Sequence, residues 1–267
     1  MRYKALAIDL DGTLLVGDDL STQNREAVQR ARDAGLEIII ATARWRQMAE
    51  GIAAQLGIEK PIIAASGAQV YIPKDKIDIF DHRLPDDFIK ELYELCNISR
   101  CIATVTIDTD VILKLDGQPD LSLLPDEMVW VKQLDTNLHK QPRIAAIQGS
   151  GVVKEIKEVL GPRYKDAVNI YDSIGPNGKL VITITAAAAN KGKALLACCQ
   201  HLDIDPQSVV TFGDAENDIE MFKVSGASVA MGQAADFIKR AATHVTADNT
   251  EHGVASAIDR LLKTGQL

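Results

Sequence analysis

Two aspartates two residues apart, Asp9 and Asp11, stand where the apolar run of ALAIDLDGTLL meets Gly12. Side chains alternate faces along a strand, so residues two apart point the same way, and like charges held close oppose joint ionisation. A shared cation offsets that cost. Three other segments carry polar residues of the same kind. Thr42-Ala43-Arg44 follows the apolar run EIIIA, Gly213-Asp214-Ala215-Glu216-Asn217-Asp218 follows SVVTF, and Lys191 opens a helical segment after AAAAN. Asp9, Asp214 and Asp218 offer hard oxygen ligands with no soft ones beside them. That set suits Mg²⁺, which keeps several waters and is often shared with a substrate phosphate. With the cation in place, Asp9 stays ionised and attacks phosphorus, while Asp11, in the turn, gives a proton to the leaving oxygen. Thr42, neighbouring backbone N–H groups and Lys191 are suited to hold phosphoryl oxygens where transition-state charge spreads.

These residues need a scaffold that brings strand ends together, and the hydrophobic pattern supplies one. Tyr3 to Leu10 reads as a buried strand, Ser21 caps a helix carrying Ala27, Val28, Ala31 and Ala34, and Glu37 to Ala41 is a second buried strand. A helix ending at Gly57 and the strand Pro61 to Ala65 continue the alternation. After Ser66-Gly67-Ala68 the pattern becomes a hairpin, a helix over Asp86 to Cys96, and then mostly strands with one helix over Val152 to Leu160. From Asn190 the strand–helix alternation returns. The expected fold is therefore α/β, a Rossmann-like parallel-sheet core over 1–82 and 187–267, with an inserted α+β cap domain over 83–186. In such sheets ligands sit at the carboxyl ends of the strands, where the polar residues fall.

Composition narrows the classes further. A chain of 267 residues, 46% hydrophobic and 25% charged, has material for a sizeable core. A formal net charge of -8 with no block of Lys and Arg argues against nucleic acid as a partner. No window approaches the about 18 apolar residues of a membrane span, so a cytoplasmic protein with no membrane partner is expected. Cys96, Cys101, Cys198 and Cys199 lack C-x-x-C spacing and read as free thiols. His82, His139, His201, His244 and His252 show no i, i+4 pairing and read as structural or surface residues rather than ligands.

Four ordered motifs carry a resemblance: DLDGTL at 9–14, Thr42 after the second strand, Lys191 in NKGKAL, and GDAENDIEM at 213–221. VAMGQA at 229–234 and ADNTEHGVASAI at 247–258 extend it over the whole chain. Together they resemble the haloacid dehalogenase superfamily of phosphotransferases, in particular its Cof-type sugar-phosphatase-like members. The resemblance implies that Asp9 is the nucleophile and Asp11 the acid/base. It places Mg²⁺ on Asp9, the backbone carbonyl of Asp11 and Asp214, with Asp218 slightly farther out and Asn217 on the phosphate. Thr42, Ala43, Arg44 and Lys191 complete the expected substrate-binding set. Three positions depart from the family's frequent pattern: Ala43 for a glycine, Ser66 for an asparagine, and Val181 where many relatives carry glutamate. A negative φ at Ala43 is expected, because a Cβ in the left-handed region costs about 1 kcal/mol or more.

The implied activity is Mg²⁺-dependent hydrolysis of a small phosphorylated metabolite, a sugar phosphate foremost, through an aspartyl-phosphate. A phosphotransferase or mutase would pass the same phosphoryl group to another hydroxyl. A non-enzymatic phospho-accepting signalling module would accept phosphate on a strand-end aspartate preceded by an acidic pair a strand or more earlier; here the pair is Asp9 and Asp11 themselves, and the insert over 83–186 is left without a purpose.

Overall fold

The computed structural model describes residues 2–267 except positions 116, 118, 121, 123, 125, 127, 137–139 and 175–177, so His139 lies outside the described residues. The chain divides into two compact units, Met1–Phe80 with Asn190–Leu267, and Asp81–Ala189.

The first unit begins with β1 (Ala5–Ile8), α1 (Thr22–Asp33), β2 (Glu37–Ala41), α2 (Arg46–Gln55) and β3 (Ile62–Ala64). The hairpin strands β4 (Gln69–Ile72) and β5 (Ile77–Asp81) follow. Ser21 caps α1 as its pattern predicts, its hydroxyl accepting from the Asn24 N–H at 3.1 Å. Asn24 is buried and works in both directions, donating to the Leu14 carbonyl and accepting from the Ala255 N–H.

The second unit contains α3 (Asp86–Ile98), β6 (Ile102–Ile107), β7 (Asp110–Lys114), β8 (Met128–Val131) and β9 (Ile144–Gln148). Next come α4 (Ser150–Glu155), a π turn over Ile156–Leu160, α5 (Gly161–Arg163), β10 (Val168–Ile174) and β11 (Leu180–Ala186). Its six strands run in the order β10-β11-β9-β6-β7-β8, antiparallel except for β7 with β8. Phe88, Leu92 and Tyr93 of α3 pack with Val152 and Ile156 against Ala103, Val105, Ile147, Ile182 and Ile184. The helix expected over Val152 to Leu160 thus starts earlier, at Ser150, and loosens midway into the π turn. A salt-bridge network ties the first residues of this unit to its sheet. Arg143, 5% exposed, donates to both oxygens of Asp81 and to the Asp108 carbonyl. Arg83 bridges Asp81 and Asp108, and Lys140 also pairs with Asp108.

The chain then returns to the first unit as α6 (Lys191–Leu202), β12 (Val209–Gly213), α7 (Ile219–Val224), β13 (Ala227–Ala230), α8 (Asp236–Ala241), β14 (His244–Val245) and α9 (Gly253–Thr264). The short α8 and β14 carry no periodic signal and are absent from the sequence-based reading. Strand order is β14-β13-β12-β1-β2-β3-β4-β5, parallel from β14 to β3. Leu6 and Ile8 of β1 pack on one face with residues of α1, α2 and α9, and Ala5 and Ala7 pack on the other with α6, α7 and α8. This three-layer α/β/α arrangement makes β1 apolar on both faces, as its sequence shows. Strand order proceeds one way from β1 through β2 and the other way from β12 through β13, so the switch point lies between β1 and β12. Cys96, Cys101, Cys198 and Cys199 are all free and buried. Among the described residues, no helix is long and apolar enough to cross a membrane.

Candidate active site

β1 ends at Ile8, so the alternation argument for a strand-borne pair does not apply: Asp9 and Asp11 both lie beyond the strand. Asp9 is 4% exposed, whereas the Asp11 side chain is 52% exposed. The turn that separates them is stitched by the Leu14 N–H to the Asp9 carbonyl and by the Thr13 and Leu15 N–H groups to the Leu10 carbonyl. Gly12 sits at φ +75°, and a Cβ there would fall 2.3 Å from Asp214 Oδ2. Only glycine admits both that conformation and that neighbour.

Asp9, Asp214 and Asp218 each offer a carboxylate oxygen, and the three atoms lie within 4.8 Å of one another. Asp9 comes from the end of β1, while Asp214 and Asp218 follow β12, so the cluster occupies the switch point. Lys191, 1% exposed, is the first residue of α6, whose cap Asn190 accepts from the Lys193 N–H. Its Nζ donates to Asp9 Oδ1 and Asp218 Oδ1, both at 2.6 Å. Asp218 is fully buried, and its other oxygen accepts from the backbone N–H groups of Asp214 and Ala215. It thereby fixes both the ammonium and the turn that carries Asp214. Thr13, fully buried, donates to Asp214 Oδ1 at 3.1 Å. Thr13 lies inside the DLDGTL motif, where its position next to Gly12 was the available signal for this role.

Three carboxylates face one ammonium. Burial, opposed by Lys191 and reinforced by Asp218 and Asp214, pushes the Asp9 carboxyl well above the usual carboxylate range. Burial and then the Asp218 charge push Asp214 up to about 7. Burial alone would lower the Lys191 ammonium, but Asp218 and Asp9 outweigh it and hold the lysine above its ordinary value. The oxygen-only donor set and the excess of negative charge fit a hard divalent cation, and Asp9, Asp214 and Asp218 are the carboxylates that could hold one.

Thr42 is fully buried, and its hydroxyl accepts from the Arg44 N–H at 3.1 Å. It does not cap α2, whose N-cap is Trp45. Ala43 is not among the residues with positive φ, so its Cβ brings no strain. The positive angles fall instead at Ala65 and Ser66, with φ of 51° and 54°. Their N–H groups donate to the Arg44 and Thr42 carbonyls, which holds this turn against the segment after β2. Asn217 Nδ2 stands 3.5 Å from Ser66 Oγ, and its Oδ1 is buried with no described partner. Arg44 reaches Asp11 and Asp18. Val181 lies in β11 and is paired with Ser173 and Gln148.

An α/β/α core with an acidic cluster and a lysine at its switch point defines a class that comparison makes specific. The chain belongs to the haloacid dehalogenase-like hydrolase family, whose profile matches residues 6–258. It is a phosphoric monoester hydrolase. It is 31% identical to 5-amino-6-(5-phospho-D-ribitylamino)uracil phosphatase YwtE of Bacillus subtilis, covering 97% of this chain and 98% of that protein. It is 26% identical to a phosphoglycolate phosphatase of Methanobrevibacter smithii, covering 98% of this chain and 100% of the relative. A solved haloacid dehalogenase-like hydrolase from Bacteroides thetaiotaomicron matches in fold with a TM-score of 0.81 at 23% identity, covering 97% of this chain and 99% of that one.

Proposed function

We propose that the protein is a Mg²⁺-dependent phosphatase of small phosphomonoesters, sugar phosphates foremost, acting through an aspartyl-phosphate on Asp9. The observation that carries this reading is the convergence of Asp9, Asp214 and Asp218 on Lys191 at the switch point of the sheet. The cited relatives support the substrate class: one is named for a phosphate on a ribityl group, the other for phosphoglycolate.

Asp9, Asp214 and the Asp11 carbonyl would hold the cation, which would supply positive charge for the phosphoryl oxygens and keep the carboxylates ionised. Lys191 fixes one oxygen of Asp9 and leaves the other to attack phosphorus. As the Asp9–phosphorus bond forms and the ester bond breaks, Asp11 gives its proton to the leaving oxygen. Water then attacks the phosphoryl group, Asp11 takes the water's proton, and inorganic phosphate leaves with Asp9 restored. Thr42 and Lys191 stabilise the charge that develops on phosphorus oxygens. Asp218 acts through what it holds, the lysine and the Asp214 turn.

The test is phosphate release from a panel of phosphorylated metabolites with and without Mg²⁺, together with rapid-quench mass analysis using an aryl phosphate. Release is expected to need the cation, Asp9→Asn to form no phosphoenzyme, and Asp11→Asn to accumulate it, since an aryl leaving group departs without a proton while water still lacks its base. Full activity after exhaustive chelation, or phosphoryl transfer to Asp9→Asn, overturns the reading. Transfer to alcohol acceptors in place of water makes the enzyme a phosphotransferase.

A further inference from the structure

The residue the site leaves unexplained is Arg44. Its guanidinium is turned to protein carboxylates: Nε donates to both oxygens of Asp11, at 3.1 and 3.0 Å, and Nη2 donates to Asp11 Oδ1 at 2.6 Å. Nη2 also reaches Asp18 Oδ1 at 2.7 Å and the Gly17 carbonyl at 3.3 Å. The arginine is 12% exposed, against 52% for Asp11 and 85% for Asp18. Arg44 is anchored at its own backbone, since its N–H bonds Thr42 Oγ1 and its carbonyl accepts from Ala65. Asp11 has no such anchor for its side chain: among the described residues, Arg44 is the side chain that bonds its carboxylate.

We propose that Arg44 is a positioning residue for Asp11, holding the acid/base in one plane through a forked bond, rather than a ligand of the substrate phosphate. This rests on the acid/base role given to Asp11 above. A carboxylate on a half-exposed turn rotates freely among rotamers, whereas a planar guanidinium with several donors fixes both the torsion and the orientation of the carboxylate plane. The fork leaves the reactive position open. Oδ2 accepts from Nε alone, so it keeps a lone pair with which to take and give the proton. Asp18 accepts from the same Nη2 and helps steady the guanidinium between the turn after β1 and the segment after β2.

The experiment is a double-mutant comparison of Arg44→Ala and Arg44→Lys in the unmodified protein and in Asp11→Asn, using Mg²⁺, p-nitrophenyl phosphate and glycerol 3-phosphate. In the unmodified background, Arg44→Ala is expected to lower kcat for glycerol 3-phosphate about 10- to 100-fold with KM within about twofold, the range that follows from misplacing a general acid. Phosphoenzyme accumulates from p-nitrophenyl phosphate, as in Asp11→Asn. In the Asp11→Asn background the same substitution has no further effect, because the group it positions is gone. Arg44→Lys retains the charge without the fork and gives an intermediate loss in the first background and none in the second; it carries the test should Arg44→Ala lower the thermal midpoint. A rise in KM at unchanged kcat, or a loss that persists undiminished in Asp11→Asn, assigns Arg44 to the substrate and overturns the inference alone. Absence of phosphate release from the unmodified protein overturns the functional reading and the inference together.

Discussion

Asp214 illustrates how a single side chain links charge, cation and stability. Its carboxyl is held at about 7 in the folded protein, above its value in an unfolded chain. A raised carboxyl works against folding as pH rises from about 4 toward 7, because the unfolded chain releases the proton more easily than the folded one does. A divalent cation bound there would take the proton's place. Mg²⁺ binding near pH 6.5 is therefore expected to release protons, measured as a binding heat that changes with the ionisation enthalpy of the buffer. At pH 8.5 that dependence should shrink, and a heat independent of buffer at both pH values would contradict it. At this scale much of the candidate site was legible in the sequence, because Asp9, Asp11 and Asp214 lie in short motifs after strands and Lys191 in one that opens a helix. The partnerships were not. Nothing in DLDGTL states that Thr13 bonds Asp214 or that Arg44 grips Asp11, since those contacts join segments 201 and 33 residues apart.

Elements set the site's precision through close approach of backbone. Gly67, at φ +89°, meets the start of α6 so tightly that a Cβ would stand 2.3 Å from the Asn190 carbonyl carbon. Gly67→Ala must adopt a left-handed angle and also push α6, with Lys191 at its first turn, away from Asp9. The expected result is a loss of about 2 kcal/mol or more in urea unfolding together with a lower kcat. Ser66→Gly, one residue earlier, is expected to be neutral or stabilising by up to about 1 kcal/mol, because it relieves the left-handed serine. Equal destabilisation by both would show that the strain lies elsewhere. Long elements such as α1, β2 and α3 could be read from their periodicity, but α8 and β14 could not. A six-residue helix and a two-residue strand are too short to display a period, and the turn at Ala65 and Ser66 is imposed by bonds to Arg44 and Thr42 that local propensity does not contain.

At the scale of the whole molecule, each unit has its own apolar core and its own electrostatic weakness. In the second unit, Lys140 first and Arg83 next hold the Asp108 carboxyl down at about 2. Its folded value lies below the unfolded one, so the stabilisation is present above about pH 4 and is lost as pH falls toward 2. Urea midpoints from pH 6 to 2.5 should show the advantage of the unmodified protein over Asp108→Asn narrowing across the lower part of that range. An advantage unchanged at pH 2.5 would rule this out.

The pairing of Ala5 with Val209 has a consequence for how the protein is made. β1 leaves the ribosome first but lacks its β12 neighbour until residue 209 has been synthesised. By then residues 81–189 are complete, with a core of their own, and domains fold as units during synthesis. A folded insert also shortens the effective loop that β1 and β12 must close, a cost that grows with the logarithm of loop length. The expected order of assembly is insert first and the β1–β12 pairing second, because β1 can pair with β2 while β12 is still unmade. The growing chain therefore carries Asp9, the proposed nucleophile, long before it carries Lys191, Asp214 and Asp218.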